Sequence, residues 1–394
     1  MAETANLLYY GDNLDVLRRH VEDESVDLVY LDPPFNSNAT YNVLFVEHNG
    51  SHAAAQIQAF GDTWHWDAAA AEVCQEIIEV GGKVSEAMQA FRHLLGNSNM
   101  LAYLAMMAPR LMELHRVLKS TGSIYLHCDP TASHYLKILM DAIFGAESFR
   151  NEIIWKRGHG HNSAKRYGAV HDTLLFYAKS DSSTWNPVFH QYDDRYTGKH
   201  YSHVDEQGRR YKHENPTGAG VSKGVTGQPW RGIDPTAKGR HWARPPEELE
   251  ELDRQGKVYW PSKPGAWPYL KVYLDDMEGQ PAQDVWTDIP VINMMAKERL
   301  GYPTQKPEAL LERLMLASSN PGDMVLDPFC GCGTTIAVAQ GLNRRWIGID
   351  ITQAAIVVIK QRLGEAQYEV IGEPVSVPDA HLESEQRQPQ EQQP

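Results

Sequence analysis

A glycine-rich loop between an apolar run and a helix-forming stretch limits the folds open to this chain of 394 residues. The apolar run Met324–Leu326 leads into Asp-Pro-Phe-Cys-Gly-Cys-Gly-Thr-Thr at 327–335, then a predicted helix to Gln340, a strand at 346–349 and Asp350. Strand, loop, helix and strand in this order are typical of a parallel α/β sheet, where ligands bind beyond the carboxyl ends of the strands. The sequence therefore predicts an α/β fold with a ligand site at this loop.

The residue types in the loop indicate a nucleoside ligand. Gly331 and Gly333 let a ligand approach the backbone at a helix N-terminus. Asp350 follows the next strand and is placed to accept hydrogen bonds from ribose hydroxyls. Ile336 stands where a dinucleotide fingerprint has its third glycine, which weakens a dinucleotide interpretation.

A second carboxylate follows another predicted strand, at 26–31. Asp32-Pro33-Pro34-Phe35 offers two acceptors, the Asp32 carboxylate and the Pro33 carbonyl, which could hold both hydrogens of a nucleobase amine and orient its lone pair. Phe35 would stack on an extruded base. A structural turn is the alternative interpretation, but a predicted nucleoside-binding loop in the same chain favours a catalytic role for residues 32–35.

The charge pattern points to a polyanionic partner. The chain carries a net charge of −14, yet residues 155–244 hold 15 lysines and arginines against 8 aspartates and glutamates, a local charge of +7. Local potential governs attraction to phosphate, so this segment is a predicted contact for a polyanion, with an ordinary solvated basic surface as the alternative. The basic residues predicted to make this contact are Lys156, Arg157, Lys165, Arg166, Arg209, Arg210, Arg231, Arg240 and Arg244.

Several classes of protein are disfavoured. Four cysteines without regular spacing do not form a disulfide framework, and a lone Cys-x-Cys at 330–332 is poor zinc geometry, so no metal site is predicted. No export signal or membrane-spanning run is evident, and we expect a cytoplasmic protein without a membrane partner. The chain has no P-loop and no nuclease pattern, so any restriction endonuclease would be a separate chain.

Four motifs together resemble a known family. They are Gly11-Asp12-Asn13-Leu14, Asp32-Pro33-Pro34-Phe35, Thr304-Gln305-Lys306-Pro307 and Asp327-Pro328-Phe329-Cys330-Gly331-Cys332-Gly333-Thr334. With the catalytic loop first and the cofactor loop last, the chain resembles the amino-methyltransferases of DNA in the permuted β group. This resemblance implies a Rossmann-like, circularly permuted, mixed seven-stranded sheet with helices on both faces, an irregular target-recognition insertion, and S-adenosylmethionine as methyl donor.

The resemblance also implies roles and domain limits. The catalytic loop would be Asp32, Pro33, Pro34 and Phe35. The cofactor would be bound by Asp12, Thr304, Gln305, Lys306, Asp327, Phe329, Gly331, Gly333, Thr334, Thr335 and Asp350. The predicted domains are a catalytic half at 1–154, a target-recognition segment at 155–290, an S-adenosylmethionine-binding half at 291–372 and a disordered tail at 373–394. Residues 46–95 match no motif.

The expected activity is methyl transfer from S-adenosylmethionine to the exocyclic amine of adenine in double-stranded DNA. Alternatives are the same transfer to cytosine, a catalytically silent DNA-binding homologue, and a methyltransferase acting on RNA or protein. A glutamine-modifying enzyme would be expected to carry Asn in place of Asp32. A homodimer is left open.

Overall fold

The computed structural model describes residues 6–34, 39–43, 57–62, 65–158, 165, 167–263, 265–302 and 304–373. The predicted site residues Phe35 and Arg166 lie outside this part of the chain, as does nearly all of the predicted tail. The chain divides into two compact units, the first made of residues 1–186 with 283–394 and the second of residues 187–282.

The first unit contains eleven of the described strands and eight of the described α-helices. Its strands are β1 (Leu7–Tyr10), β2 (Val26–Leu31), β3 (Ala39–Val43), β4 (Ile57–Asp62), β5 (Leu118–Cys128), β6 (Phe149–Lys156), β7 (His171–Ala178), β16 (Val285–Trp286), β17 (Met324–Asp327), β18 (Arg345–Asp350) and β19 (Glu369–Ile371). Its helices are α1 (Asn13–His20), α2 (Ala68–Val80), α3 (Gly82–Leu95), α4 (Asn99–Val117), α5 (Ser133–Phe144), α8 (Glu308–Ser318), α9 (Thr334–Gly341) and α10 (Gln353–Leu363).

Nine of these strands form one mixed, mostly parallel sheet, in the order β16-β6-β7-β5-β2-β17-β18-β1-β19. Strands β5, β2, β17, β18, β1 and β19 run parallel, and β7 pairs antiparallel with β5 and β6. The sheet has two strands more than the predicted seven. The two extra strands are β16 and β19, one at each edge of the sheet. They have two and three residues, which is too short for an alternating apolar pattern to be recognised in the sequence.

Successive side chains along the strands pack into two different hydrophobic cores. On β2, Val29 and Leu31 pack with residues of α1 to α5, whereas Leu28 and Tyr30 pack with residues of α8 to α10. Successive strand residues point to opposite faces, so helices cover both faces of the sheet. The region 68–95, which matched no motif, forms α2 and α3 and contributes Cys74 to the first core.

The second unit has regular structure of its own. Its elements are β8 (Phe189–His190), α6 (Asp194–His200), β9 (His203–Val204), β10 (Arg210–Glu214), β11 (Thr217–Ala219), β12 (Arg240–Trp242), α7 (Pro246–Arg254), β13 (Val258–Tyr259), β14 (Tyr269–Tyr273) and β15 (Gln280–Pro281). Four strands form an antiparallel sheet, β13-β14-β10-β9, and Trp230, Trp242 and Leu249 form part of a small core.

This unit differs from the predicted irregular segment in two respects. It contains a small sheet, whose strands of two to five residues are too short to show a period. It is also narrower than 155–290, because β6, β7 and β16 pair within the nine-stranded sheet. Among the helices that the structure describes, none combines enough length and apolar character to cross a lipid bilayer.

Candidate active site

The carboxyl ends of neighbouring parallel strands place three aspartates around one cavity. Asp32 directly follows β2, Asp327 ends β17 and Asp350 ends β18. The cavity has a volume of about 210 Å³. A bound water needs roughly 10–15 Å³ on this measure, so the space suits a small organic ligand.

Most of the predicted catalytic and cofactor-binding residues lie around this cavity. Those that line it are Asp12, Asp32, Pro34, Thr304, Gln305, Lys306, Asp327, Phe329, Gly331, Thr334, Thr335 and Asp350. The structure thus brings together residues from both ends of the chain, as the motifs predict. Pro33 is buried and Gly333 does not line the cavity.

Gly333 has a structural role in the glycine loop and does not line the cavity. Its backbone is left-handed, with φ of 74°, and it is the N-cap of α9. A Cβ atom there would lie 2.7 Å from Cγ1 of Ile359 in α10. The tight turn and the close approach of α10 both require glycine at this position.

Asp350 joins the glycine loop to the start of α10. One carboxylate oxygen accepts the Gly331 N–H at 2.9 Å, and the other accepts the Thr352 N–H at 2.8 Å and its hydroxyl at 2.7 Å. Burial raises the pKa of Asp350, although these hydrogen bonds oppose the shift. The Ile351 N–H also bonds this carboxylate, so four protein donors hold Asp350 in place where it lines the cavity.

Asp327 is the most deeply buried carboxyl of the site. Its oxygen accepts the Phe329 N–H at 3.0 Å. Burial raises the pKa of Asp327 to about 7, with smaller contributions from the charges of Asp32 and Asp350, whereas hydrogen bonds from Thr335 and Phe329 lower it. Near neutral pH this carboxyl therefore exists in both protonation states.

This raised pKa gives a pH dependence to stability. The folded protein keeps the Asp327 proton up to about pH 7, whereas the unfolded chain loses it near pH 3.9. Between these values the folded state binds more protons, so stability falls as pH rises. We expect the melting temperature of the wild type to fall from pH 5 to pH 8 relative to Asp327→Asn. If the melting temperatures of the two proteins changed equally with pH over this range, the raised pKa of Asp327 would be contradicted.

Asp32 forms an ion pair with Lys306. The lysine ammonium contacts a carboxylate oxygen of Asp32, and the two side chains are only 13% and 16% exposed. The sequence places Lys306 among the cofactor residues; the structure also puts its charge directly against the predicted catalytic carboxylate. The pairing brings the Thr304–Lys306 motif and the Asp32 loop to one point of the cavity.

Three polar residues outside the motifs, Tyr30, Arg110 and Tyr302, also line the cavity, as does Asn13, a motif residue to which no role was assigned. The Asn13 amide donates to the Pro328 carbonyl at 2.7 Å, and Arg110 donates to Asn13 at 2.6 Å and to Asp12 at 2.8 Å. Arg110 comes from the interior of α4, and a helical arginine carries no signal that would place it here.

The predicted DNA-binding residues are spread over both units, and most have protein partners. Lys156 and Lys165 are exposed. The others that the structure describes are paired as follows: Arg157 with Asp172, Arg209 with Asp205, Arg231 with Glu250, Arg244 with Glu248, Arg210 with the Tyr201 carbonyl and Arg240 with Thr217. Lys156 and Lys165 are therefore the clearest candidates for phosphate contacts.

An open parallel sheet with a glycine loop and strand-end carboxylates defines an α/β protein of the nucleotide-binding type. The family model described as "DNA methylase", which groups N6 and N4 enzymes, matches residues 26–361. The chain belongs to this family. It is thus a DNA amino-methyltransferase that uses S-adenosylmethionine.

Three curated relatives illustrate the similarity. The type II methyltransferase M.EcaI of Enterobacter cloacae is 32% identical over 91% of this chain and 69% of its own length. The DNA adenine methyltransferase YhdJ of Escherichia coli is 24% identical over 92% and 84%. The Mod subunit of the type III restriction-modification enzyme StyLTI of Salmonella typhimurium is 28% identical over 86% of this chain, which spans half of that relative.

The cavity fits S-adenosylmethionine on two counts. Asp350, a carboxyl held by the glycine loop and the start of α10, lines the cavity where it can meet a ribose hydroxyl. The lining contains the carboxyl groups of Asp12, Asp32 and Asp350, together with that of Asp327 when it is ionised, against the two cations Arg110 and Lys306. This excess of negative charge favours a ligand that carries a sulfonium cation.

Proposed function

We propose that the protein transfers a methyl group from S-adenosylmethionine to the exocyclic amino nitrogen of adenine in double-stranded DNA. The observation that carries this proposal is the position of Asp32, which lines the same cavity as Gly331 and Asp350. A target amine held at Asp32 would face a ligand bound along the glycine loop. The name of the YhdJ relative, a DNA adenine methyltransferase, favours adenine.

The catalytic loop acts by holding the amine in a reactive geometry. The amine of a nucleobase is a poor nucleophile because its lone pair is delocalised into the ring. The Asp32 carboxylate and the Pro33 carbonyl accept its two hydrogens and direct the lone pair at the methyl group that S-adenosylmethionine supplies when bound. Two prolines fix the backbone of the loop, so little ordering is needed when the base arrives.

Cytosine is the second candidate target. Its exocyclic amine has the same two hydrogens, and the family that matches the chain includes enzymes for both nitrogens. The acceptors Asp32 and Pro33 serve either base equally well. The identity of the methylated nucleoside therefore has to be measured directly.

Mass spectrometry of methylated DNA tests the proposal. The protein is incubated with labelled S-adenosylmethionine and duplex DNA from a methylation-free host, and the DNA is digested to nucleosides. N6-methyladenine is the expected product. N4-methylcytosine would support the second candidate. Unmodified DNA with a well-folded, cofactor-binding protein would overturn both and support a silent homologue.

We also propose that residues 155–290 contact DNA and set the target sequence. Irregular loops and side chains beyond the central sheet are suited to reading base edges, while exposed lysines contact phosphates. Lys156 at the end of β6 is exposed and supplies such a charge.

Charge reversal at Lys156 tests this surface. We expect Lys156→Glu to weaken binding to every DNA sequence and to reduce the slope of log affinity against log salt by about 0.9 per lost phosphate contact. Lys83→Glu, at an exposed position of α3 outside the basic segment, is the matched control. Equal salt slopes for the two variants would show that Lys156 is ordinary solvated surface.

A further inference from the structure

Two adjacent methionines form the tip of an exposed turn in the first unit. Met294 and Met295 are 83% and 91% exposed, and of the large hydrophobic side chains that the structure describes only that of Tyr167 is more exposed. Apolar surface of this kind gains free energy when a partner removes it from water. The pair is therefore a candidate contact for a partner molecule.

The turn is held by hydrogen bonds that do not involve the methionine side chains. The Ala296 N–H donates to the Asn293 carbonyl at 3.2 Å, and the Met295 N–H donates to the Asn293 side-chain oxygen at 2.8 Å. Met294 and Met295 are thus the two central residues of a β-turn, where glycine, proline, asparagine, aspartate and serine are the usual residues. The conformation of the turn does not explain why two methionines stand there.

Gln305 fastens the chain after this turn to the wall of the cavity. The Gln305 side-chain oxygen accepts the Leu300 N–H at 2.8 Å, and its amide nitrogen donates to the Glu298 carbonyl. Gln305 itself lines the cavity. Met295 precedes Glu298 by only three residues, which span at most about 11 Å even when fully extended. The exposed tip therefore lies close to the cavity wall that Gln305 forms.

The charges beside the tip suit a polyanionic partner. Lys297 and Arg299 are exposed, and neither has an ion-pair partner among the described residues. Between them, the Glu298 carboxylate accepts the Glu308 N–H at the start of α8 at 2.9 Å. DNA presents phosphates on its outside and apolar base faces inside, and apolar side chains can enter between its base steps. An apolar tip next to two exposed cations matches this arrangement.

A base inside an intact duplex cannot bring its amine to Asp32. That side chain is only 16% exposed and lines the cavity, whereas a paired base is stacked within the double helix. Enzymes that modify a base therefore extrude the nucleotide, and this leaves a gap in the stack. Methionine is suited to fill such a gap, because its chain is unbranched and its sulfur packs well against aromatic rings.

We propose that Met294 and Met295 form a wedge that enters the base stack of double-stranded DNA and occupies the space left by the extruded target base. Lys297 and Arg299 then contact the neighbouring phosphates. The inference rests on the proposed methyl transfer at Asp32 and adds the contacts that keep the target base outside the duplex. The wedge lies outside residues 155–290, for which recognition of the target sequence is proposed.

Two duplexes that differ only opposite the target base test the wedge. Both carry the sequence that modified-base sequencing of methylated DNA identifies; in one the target base is paired, and in the other it faces an abasic site, so its extrusion costs less. We expect the double variant Met294→Ala/Met295→Ala to slow single-turnover methyl transfer by about 10- to 100-fold on the paired duplex. On the unpaired duplex its rate should come within about threefold of the wild type.

Variants that keep or move the apolar surface complete the experiment. Met294→Leu/Met295→Leu retains an apolar wedge and should stay within about threefold of the wild type on both duplexes. Val80 and Leu94, at the ends of α2 and α3, are 75% and 72% exposed and supply the matched control. Val80→Ala/Leu94→Ala should transfer at the wild-type rate. Every variant should keep its melting temperature and its affinity for S-adenosylmethionine, because only exposed side chains change.

Three results would overturn the inference. One is wild-type transfer by Met294→Ala/Met295→Ala on the paired duplex. Another is an equal rate loss on the paired and unpaired duplexes, which would give the turn a structural role. The third is a wild type that sediments as a dimer while this variant sediments as a monomer, which would make the tip a contact between two copies. Failure of the proposed function is seen separately, because the wild type would then methylate neither duplex.

Discussion

Asp32→Ala is expected to slow methyl transfer by at least about 100-fold while leaving affinity for S-adenosylmethionine within a few-fold. In the proposed mechanism the Asp32 carboxylate holds the target amine, and that interaction matters mainly at the reacting centre. Its loss therefore lowers the rate constant of a single turnover, measured with labelled methyl donor and saturating DNA. Asp32→Asn keeps one acceptor oxygen without the charge, so it should retain low activity.

Asp27 is the matched control for this experiment. It lies on the same strand, β2, and also pairs with a lysine, since Lys119 Nζ lies 2.7 Å from its carboxylate. It does not line the cavity. Asp27→Ala loses an ion pair of the same kind, together with the hydrogen bond from the Met324 N–H, and should keep a near-normal rate per folded molecule. Full activity of the Asp32→Ala variant would show that this loop takes no part in catalysis.

Asp350→Ala should weaken S-adenosylmethionine binding by roughly 10- to 150-fold, because hydrogen bonds to a charged acceptor contribute about 1.5–3 kcal/mol. The same change frees the Gly331 N–H, which Asp350 accepts at 2.9 Å, so the glycine loop also loses its support. Titration calorimetry of the protein with S-adenosylmethionine measures the affinity.

Asp15→Ala provides the comparison for Asp350→Ala. Asp15 is an exposed aspartate of α1 that pairs with Arg19 and does not line the cavity. Its replacement should leave cofactor affinity unchanged. If both variants bind S-adenosylmethionine as the wild type does, the cofactor occupies another part of the molecule.

The carboxylates of the site were predictable from the sequence for a simple reason. Asp32 and Asp350 each follow a short apolar run, and the carboxyl ends of parallel strands meet at one edge of a sheet. Their meeting at one cavity therefore follows once the strands are recognised as parallel neighbours. The ion pair of Asp32 with Lys306 does not follow, because it depends on side-chain direction in a loop.

Other features lacked a local signal. Arg110 lies in the interior of α4, and its contact with Asp12 at the cavity depends on how α4 packs beside the start of α1. The small sheet of residues 187–282 was missed because its strands, of two to five residues, are too short to show the alternation of apolar and polar residues that marks a strand. Phe35 and Arg166 lie outside the described residues, and their roles stay predictions.

The pairing of β2 with β17 has a consequence for biosynthesis. The Asp27 carboxylate accepts the Met324 N–H from a residue 297 positions later in the chain. A ribosome adding 5–20 residues per second needs roughly 15 to 60 s to cover that distance. During this interval one edge of β2 has no strand to pair with, and open strand edges invite association with other chains. We expect chaperones or the early helices α1 to α5 to shield this edge until β17, in the last fifth of the chain, emerges.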